Sequence, residues 1–119
     1  LAVIDVSFIS LTKVLPKTIS LLSSSSQIIA LIKPQFEAGK ELVSKGGVVR
    51  ESSSHLFVIQ KLQDTVEKLG WQMVALTHSP LRGPAGNVEF LAHLTVKQAE
   101  RLAQIPIAEI VKQAHQKLL

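Results

Sequence analysis

Hydrophobic and polar positions alternate along this chain in blocks that predict strands and helices in turn. Two continuous apolar runs, residues 1–5 and 27–33, each end in a charged residue. Unbroken apolarity of this kind favours strands buried on both faces, as in a parallel sheet covered by helices. Between the runs, apolar residues recur at helical spacing from 11 to 22, and Ser10 is a candidate N-cap. The pattern predicts a strand-helix-strand unit.

The middle of the chain continues this alternation. Residues 51–69 place apolar side chains on one helical face, and Gly70 follows as a candidate C-cap. Residues 71–79 predict a third strand and residues 88–96 a fourth. The connection between these two strands is rich in Pro and Gly and has no room for a helix. Because parallel strands need a longer crossover, we expect the fourth strand to run antiparallel to the third.

The C-terminal segment predicts two short helices. Thr95 and Gln98 fit a capping box that would begin the first, and Pro106 separates it from the second. The second carries an apolar stripe from Ile107 to Leu118. The whole pattern predicts an α/β fold whose mixed sheet contains one antiparallel strand.

Composition narrows the class of protein. With 119 residues and 46% hydrophobic residues, the chain fits one globular domain. Its longest apolar runs are too short to span a membrane. The sequence contains no cysteine, which excludes a thiolate metal site and is compatible with a cytoplasmic location. The formal net charge of +4 favours an anionic partner such as nucleic acid, although an ordinary basic surface explains it equally well.

The chain begins inside a predicted strand, at Leu1, with neither an initiator methionine nor a signal-peptide pattern. We therefore expect an N-terminal portion of the protein to precede this sequence. Without that portion, strand 1–5 would have an unpaired edge, and we expect self-association through this edge.

Three ionisable residues are predicted to converge at one edge of the sheet. Functional groups of open parallel sheets gather beyond the carboxyl ends of the strands. Asp5 and Lys33 end two such strands, and Glu89 begins the reversed strand, so all three belong to the same edge. Structural alternatives exist for each. Lys33 would be a solvated strand end, Asp5 a cap of the following helix, and Glu89 a surface partner of Arg82.

Four segments of the chain together match the pattern of a known family. They are "DVSFISL" at 5–11, "ALIKPQFEAG" at 30–39, "KGGVVRE" at 45–51 followed by His55, and "SPLRGPAGNVEFLAHL" at 79–94. In this order and spacing they resemble the catalytic domain of the hemolysin A (TlyA) family, whose members are FtsJ-like, S-adenosylmethionine-dependent RNA methyltransferases. The resemblance runs from Leu1 to about Leu94. It implies a Rossmann-like methyltransferase sheet in which the reversed strand lies between the second and third strands of this chain.

The resemblance also implies a domain organisation. Residues 1–119 would be a partial methyltransferase domain that supplies the fourth to seventh strands of the family's sheet and the C-terminal helices. A complete member would carry, before Leu1, a small RNA-binding domain and the glycine-rich cofactor loop. Neither is found in this sequence.

The chemistry implied by the family centres on Lys33. FtsJ-like enzymes methylate a ribose 2′-hydroxyl with a Lys-Asp-Lys-Glu tetrad, and Asp5, Lys33 and Glu89 match its last three members. Lys33 would remove the hydroxyl proton or stabilise the developing alkoxide, and the two carboxylates would orient it. The choice between these two roles stays open. The expected substrate is a cytidine ribose in ribosomal RNA.

The resemblance further implies contacts to the cofactor and to RNA. Asp5 and Phe8 are candidate contacts to S-adenosylmethionine, although burial in the core is equally compatible with Phe8. Two loops at the functional edge, residues 34–50 and 80–87, carry cations and glycines that would follow an RNA backbone, and a solvated loop is the alternative. The candidate RNA contacts are Lys40, Lys45, Arg50, Arg82 and Asn87.

Other aromatic and imidazole side chains are assigned structural positions. Trp71 and Phe57 are predicted to be core residues. The four histidines show no metal-ligand spacing, so no metal site is predicted.

Two other functions stay open. By itself the chain fits a non-catalytic RNA- or protein-binding module, because the cofactor loop is not found in it. We expect activity of the full-length protein and not of these 119 residues alone. Membrane lysis, which the hemolysin name implies literally, is disfavoured because the predicted helices are short and mixed in charge.

Overall fold

A mixed sheet forms the centre of the molecule. The computed structural model describes residues 1–44, 46–97 and 105–118. Its sheet has the order β1-β2-β4-β3, in which β1 and β2 are parallel and β4 is antiparallel to both of its neighbours. The predicted reversed strand and its place in the sheet are therefore confirmed. The strands are β1 (Ala2–Ile4), β2 (Gln27–Ile32), β3 (Trp71–His78) and β4 (Phe90–Val96).

The helices that cover the sheet contact one another in a row. They are α1 (Leu11–Ser20), α2 (Pro34–Glu37), α3 (Ser52–Lys68) and α4 (Ile107–Leu118). α3 contacts α1 and α4, and both α3 and α4 contact β3. The core lies between this layer and one face of the sheet, where alternate residues of β2 and β4, such as Ile32 and Phe90, are fully buried.

The opposite face of the sheet is only partly covered within the described residues. In β2, Ile29 and Leu31 are half-buried, and Val3 of β1 is 72% exposed. The prediction of burial on both faces was therefore wrong for this chain. Continuous apolar sequence indicates two faces that avoid water, but α1, α3 and α4 pack into one core cluster on a single face.

The helix ends follow the expected local chemistry. Ser10 caps α1, since its Oγ accepts a hydrogen bond from the Thr12 N–H at 3.1 Å. α3 ends before Gly70, whose φ of 80° is the left-handed conformation that glycine adopts at helix C-termini. α2 was not predicted and lies within the predicted loop 34–50. Pro34 at its first turn favours a helix, but four residues are too few to show helical periodicity.

Two aromatic predictions have different outcomes. Trp71 is 4% exposed and belongs to the core, as expected. Phe57 is 53% exposed, so its assignment to the core was wrong. The buried face of α3 contains Val58 and Leu62, and Phe57 lies outside it.

The termini of the described chain bear on three further predictions. α4 confirms the second C-terminal helix, whereas the first lies largely outside the described residues and Thr95 belongs to β4. β1 pairs with β2 on one side, and the predicted self-association through its other edge stays a prediction. No helix in the described ranges is long and apolar enough to cross a membrane.

Candidate active site

The sheet brings the three predicted ionisable residues to one edge. Lys33 follows β2 directly, and Glu89 directly precedes β4. Since Ile32 of β2 pairs with Phe90 of β4, Lys33 and Glu89 lie just beyond the same pair of residues. Asp5 follows β1, the parallel neighbour of β2. The rim predicted from strand directions is therefore present.

An ion pair links the ends of β1 and β2. The Lys33 Nζ lies 2.6 Å from Asp5 Oδ1, and it also donates to Ser7 Oγ at 3.1 Å. The Lys33 side chain is 13% exposed, whereas that of Asp5 is 62% exposed. Lys33 is thus a largely buried, paired lysine and not a solvated strand end. Asp5 is not the helix cap either, because Ser10 has that role.

Glu89 occupies a different environment from Asp5. It is 7% exposed, and its Oε2 accepts a hydrogen bond from Gln35 Nε2 at 3.2 Å. Gly83 packs directly against the carboxylate, where a side chain would collide with it. Glu89 is therefore buried and not a surface partner of Arg82. Among the described residues, the ammonium of Lys33 pairs with Asp5 and not with Glu89.

The segment 33–37, "KPQFE", connects the rim to four other parts of the molecule. Lys33 pairs with Asp5, and Gln35 bonds to Glu89. Phe36 packs on Phe8 with ring centroids 4.8 Å apart. Glu37 accepts hydrogen bonds from Ser10 Oγ at 2.6 Å and from the first N–H of α1 at 2.8 Å. Sequence reasoning missed the contacts of Ser7, Gln35 and Glu37, and their only signal was their place inside the matched segments.

Phe8 lies at the rim in an unusual conformation. It is 90% exposed and has a φ of 64°, a left-handed conformation that costs energy for a bulky side chain. Burial of Phe8 in the core was therefore a wrong alternative. Its ring rests on Phe36 and stands three residues from Asp5, so an aromatic surface and a carboxylate are both accessible at this rim.

Asn87 joins the two loops of the rim from inside. Its Oδ1 accepts from the Val49 N–H at 3.0 Å, and its Nδ2 donates to the Gly47 carbonyl at 2.9 Å. Asn87 is 1% exposed. An amide that is buried in this way cannot approach an RNA backbone, so Asn87 has a structural role in place of the predicted RNA contact.

A pair of histidines, the buried His55 and the half-buried His115, also contacts the loop that contains Val49. The Val49 carbonyl can only accept, so His55 Nε2 carries the proton and donates to it at 2.9 Å. The unprotonated Nδ1 of His55 then accepts from His115 Nε2 at 2.7 Å. Burial, together with the charge of His115, lowers the pKa of His55 to about 4, and the bond to Val49 opposes this shift. Burial also lowers the pKa of His115, against the effect of Glu51.

The remaining candidate RNA contacts are placed as follows. Arg50 and Arg82 are exposed, and they line the same small cavity between the two loops. Lys40 begins a 3₁₀ turn, Lys40–Leu42. Lys45 lies outside the described residues.

Other candidate sites in the described part of the chain do not add to this rim. A cavity of about 560 Å³ between α3 and α4 is lined by residues such as Leu56, Val111 and His115, and it shares no residue with the Lys33 group. No group of three or more potential metal ligands was found in residues 1–44, 46–97 and 105–118.

A four-stranded mixed sheet with helices packed on it and a lysine-carboxylate rim at its carboxyl edge fits the Rossmann-like α/β class. The FtsJ-like methyltransferase family model matches residues 1–96, and the chain belongs to that family. Similarity to individual proteins agrees. The chain is 38% identical to the 16S/23S rRNA (cytidine-2'-O)-methyltransferase TlyA of Mycobacterium tuberculosis, with 96% of this chain and 42% of that protein covered.

Two further similarities support the assignment. The chain is 40% identical to YqxC of Bacillus subtilis (strain 168), with 98% of this chain and 43% of YqxC covered. A crystal structure from Lactococcus lactis, whose description includes the word hemolysin, has a TM-score of 0.86 at 43% identity. The match covers 95% of this chain and 54% of the L. lactis chain. The chain thus spans less than half the length of the two named relatives.

The contact between Gly83 and Glu89 predicts the effect of a single methyl group. In Gly83→Ala, the new Cβ collides with the Glu89 carboxylate, and overpacking of this kind costs about 1–3 kcal/mol of unfolding free energy. Glu89→Asp withdraws the carboxylate by one methylene. We expect the double variant to recover part of the loss when unfolding by urea is measured. Additive losses in the two variants would contradict a direct contact.

The pKa of His55 predicts a loss of stability on acidification. In the unfolded chain the imidazole binds a proton near pH 6.5, whereas in the fold it binds one near pH 4. Acid therefore favours the unfolded state. We expect the unfolding free energy to fall as the pH drops from about 6.5 to about 4, with a slope approaching 1.4 kcal/mol per pH unit. His55→Gln, which still donates to Val49, should flatten this dependence, and parallel curves for both proteins would contradict it.

Proposed function

We propose that this chain is part of an enzyme that methylates a ribose 2′-hydroxyl of a cytidine in ribosomal RNA, with S-adenosylmethionine as methyl donor. The observation that carries the proposal is the largely buried Lys33, paired with Asp5 and next to the buried Glu89, at the carboxyl edge of the sheet. Membership in the FtsJ-like family and the printed activity of the M. tuberculosis relative support it.

The contacts of Lys33 leave one donor for the substrate. An ammonium has three N–H groups. Within the described residues, two of those of Lys33 contact Asp5 Oδ1 and Ser7 Oγ. The third N–H can donate to the ribose oxygen as that oxygen attacks the methyl group, gains negative charge and releases its proton to water. A fixed donor at a developing alkoxide lowers the barrier because it does not have to reorganise during the reaction. We therefore favour electrostatic stabilisation by Lys33 over proton removal.

Glu89 and Gln35 complete this arrangement from the neighbouring strand. The Gln35 amide holds the Glu89 carboxylate at 3.2 Å, while its Oε1 is buried without a partner among the described residues. An atom enclosed in this way does not reach a substrate, so the role of Gln35 is to position Glu89. We propose that Gln35 holds the Glu89 carboxylate beside the end of β2, where Glu89 helps to orient Lys33.

The residues at the rim fit one side of a cofactor site. Bound S-adenosylmethionine would supply an electrophilic methyl group. The exposed carboxylate of Asp5 offers an acceptor for its amine or hydroxyl groups, and the exposed ring of Phe8 offers a stacking surface for adenine. We propose Asp5 and Phe8 as the contribution of this chain to the cofactor site.

We also propose the place of this chain in a longer protein. Its four strands would be the fourth to seventh of the family's sheet, and a glycine-rich cofactor loop and an RNA-binding domain would belong to the intact protein. The coverage of 42% and 43% of the two named relatives supports this arrangement. Lys40, Lys45, Arg50 and Arg82 are the proposed RNA contacts of this half.

Removal of the lysine tests the mechanism. In the intact protein, Lys33→Ala should lower the rate of methyl transfer to ribosomal RNA by roughly a hundredfold or more, because the alkoxide loses its charged donor. Transfer of the labelled methyl group measures this rate. The matched control is Lys61→Ala. It also removes one lysine charge, but from an exposed position of α3 that is distant in sequence from the rim. Near-wild-type rates for Lys33→Ala would exclude the lysine from the mechanism.

Cofactor binding separates this function from a binding module without catalysis. We expect calorimetry to show S-adenosylmethionine binding by the intact protein and much weaker binding by the 119-residue chain, which offers Asp5 and Phe8 alone. Phe8→Ala in the intact protein should weaken cofactor binding relative to the intact wild-type protein. An intact protein that binds RNA but not the cofactor would support the binding module instead.

A further inference from the structure

Two arginines from different loops line one small cavity at the rim. The cavity is about 160 Å³ in volume and lies between the loop that contains Val48 and Arg50 and the loop that contains Arg82 and Gly86. Pockets that take whole small molecules measure roughly 300–1,000 Å³, so this cavity is suited to a single small group. Its lining residues are Val48, Val49, Arg50, Arg82, Ala85, Gly86 and Val88.

The charges of these arginines are not compensated within the described residues. The lining contains no acidic side chain, and neither Arg50 nor Arg82 forms an ion pair within 4.0 Å in that part of the chain. Glu51, the acidic neighbour of Arg50, instead acts on His115 of α4. Two guanidinium groups that share a cavity repel each other, and an anion between them removes this repulsion.

The backbone around the cavity is fixed before any ligand binds. Asn87 bonds to both Gly47 and Val49, and His55 bonds to the Val49 carbonyl. Val49 and Val88 are each 2% exposed and line the cavity together with the arginines. A preformed site of this kind does not have to order its loops when the anion enters, and this favours binding.

The guanidinium of one arginine lies close to the backbone at Gly86. Its φ is 83°, and a Cβ built on it would lie 3.8 Å from Arg82 Nη1. The guanidinium of Arg82 therefore lies over this backbone, at the wall of the cavity, rather than extending away from the loop. This position lets Arg82 and Arg50 face the same space.

We propose that Arg50 and Arg82 together bind one phosphate group of the RNA backbone in this cavity. Guanidinium groups match phosphate oxygens with paired hydrogen bonds, and a tetrahedral anion can accept from two arginines at once. Val88, in the lining, directly precedes Glu89, which places the cavity close to the rim that contains Lys33. The choice of RNA as the source of the phosphate rests on the proposed function.

A double-mutant cycle tests the sharing of one phosphate. In the intact protein, binding of a fluorescein-labelled single-stranded RNA is measured for Arg50→Gln, Arg82→Gln and the double variant. Each single change should weaken binding about tenfold, the loss expected for a hydrogen bond to a charged group. Because both arginines hold the same group, the double variant should be little weaker than either single variant. Independent tenfold losses that multiply would overturn the proposal.

The salt dependence of binding gives a second, independent readout. For single-stranded RNA, loss of one phosphate contact lowers the slope of log K against log salt by about 0.7. We expect this decrease in both single variants and no larger decrease in the double variant. A decrease of about 1.4 in the double variant would indicate two separate phosphates. Lys61→Gln on α3 is the control and should leave affinity unchanged.

The remaining arms separate protein folding, the source of the phosphate and the proposed function. Both arginines are exposed, so thermal unfolding of the variants should match the wild type. If inorganic phosphate shifts the arginine Nε–H resonances in NMR spectra while the variants bind RNA normally, the site takes a free anion and RNA is excluded. RNA binding needs no methyl transfer. If the two arginines show the expected non-additive effect on RNA binding but the intact protein transfers no methyl group, the proposed function alone is rejected. If the intact protein transfers the methyl group but the losses of the two arginines multiply, the phosphate site alone is rejected.

Discussion

The antiparallel pairing of β4 between β2 and β3 is the constraint on which the site depends. Because β4 runs against its neighbours, its first residues lie at the edge where β2 ends, and Glu89 meets the segment that begins with Lys33. The short connection from β3 is closed by hydrogen bonds from Ser79 N–H to the Glu89 carbonyl and from Gly83 N–H to the Asn87 carbonyl, each 2.7 Å. These bonds bury Glu89 and leave Arg82 outside.

The segment 33–37 supplies the polar side chains that connect β2 to the rest of the rim. A strand end is exposed to water by default, and a lysine there would be solvated. Here Pro34 starts a short helix immediately after Lys33, so the chain turns back across the rim. Gln35 then reaches Glu89, and Glu37 reaches the start of α1. The same few residues therefore link two strands, one helix and Lys33.

Sequence reasoning predicted the features that depend on chain direction and local chemistry. The reversed strand followed from a connection too short for a crossover, and the rim followed from strand ends. Features that depend on partners distant in sequence were not predicted. His55 and His115 are 60 residues apart, and Asn87 reaches Gly47 across 40, so no local pattern marks either contact. The exposure of Phe57 likewise depends on which side of α3 the core covers.

The positive charges at the rim are of two kinds, a paired lysine and two exposed arginines. Lys33 is neutralised by Asp5 at 2.6 Å and is 13% exposed, so it contributes little to the attraction of an RNA backbone. Arg50 and Arg82 are exposed and uncompensated in the described part of the chain, and their field extends into solvent. Under the proposed function, affinity for RNA would arise in the loops, whereas the largely buried lysine would act on the ribose. The buried frame of Asn87, His55 and Val49 couples the two, because it fixes the arginine cavity next to the segment that carries Glu89.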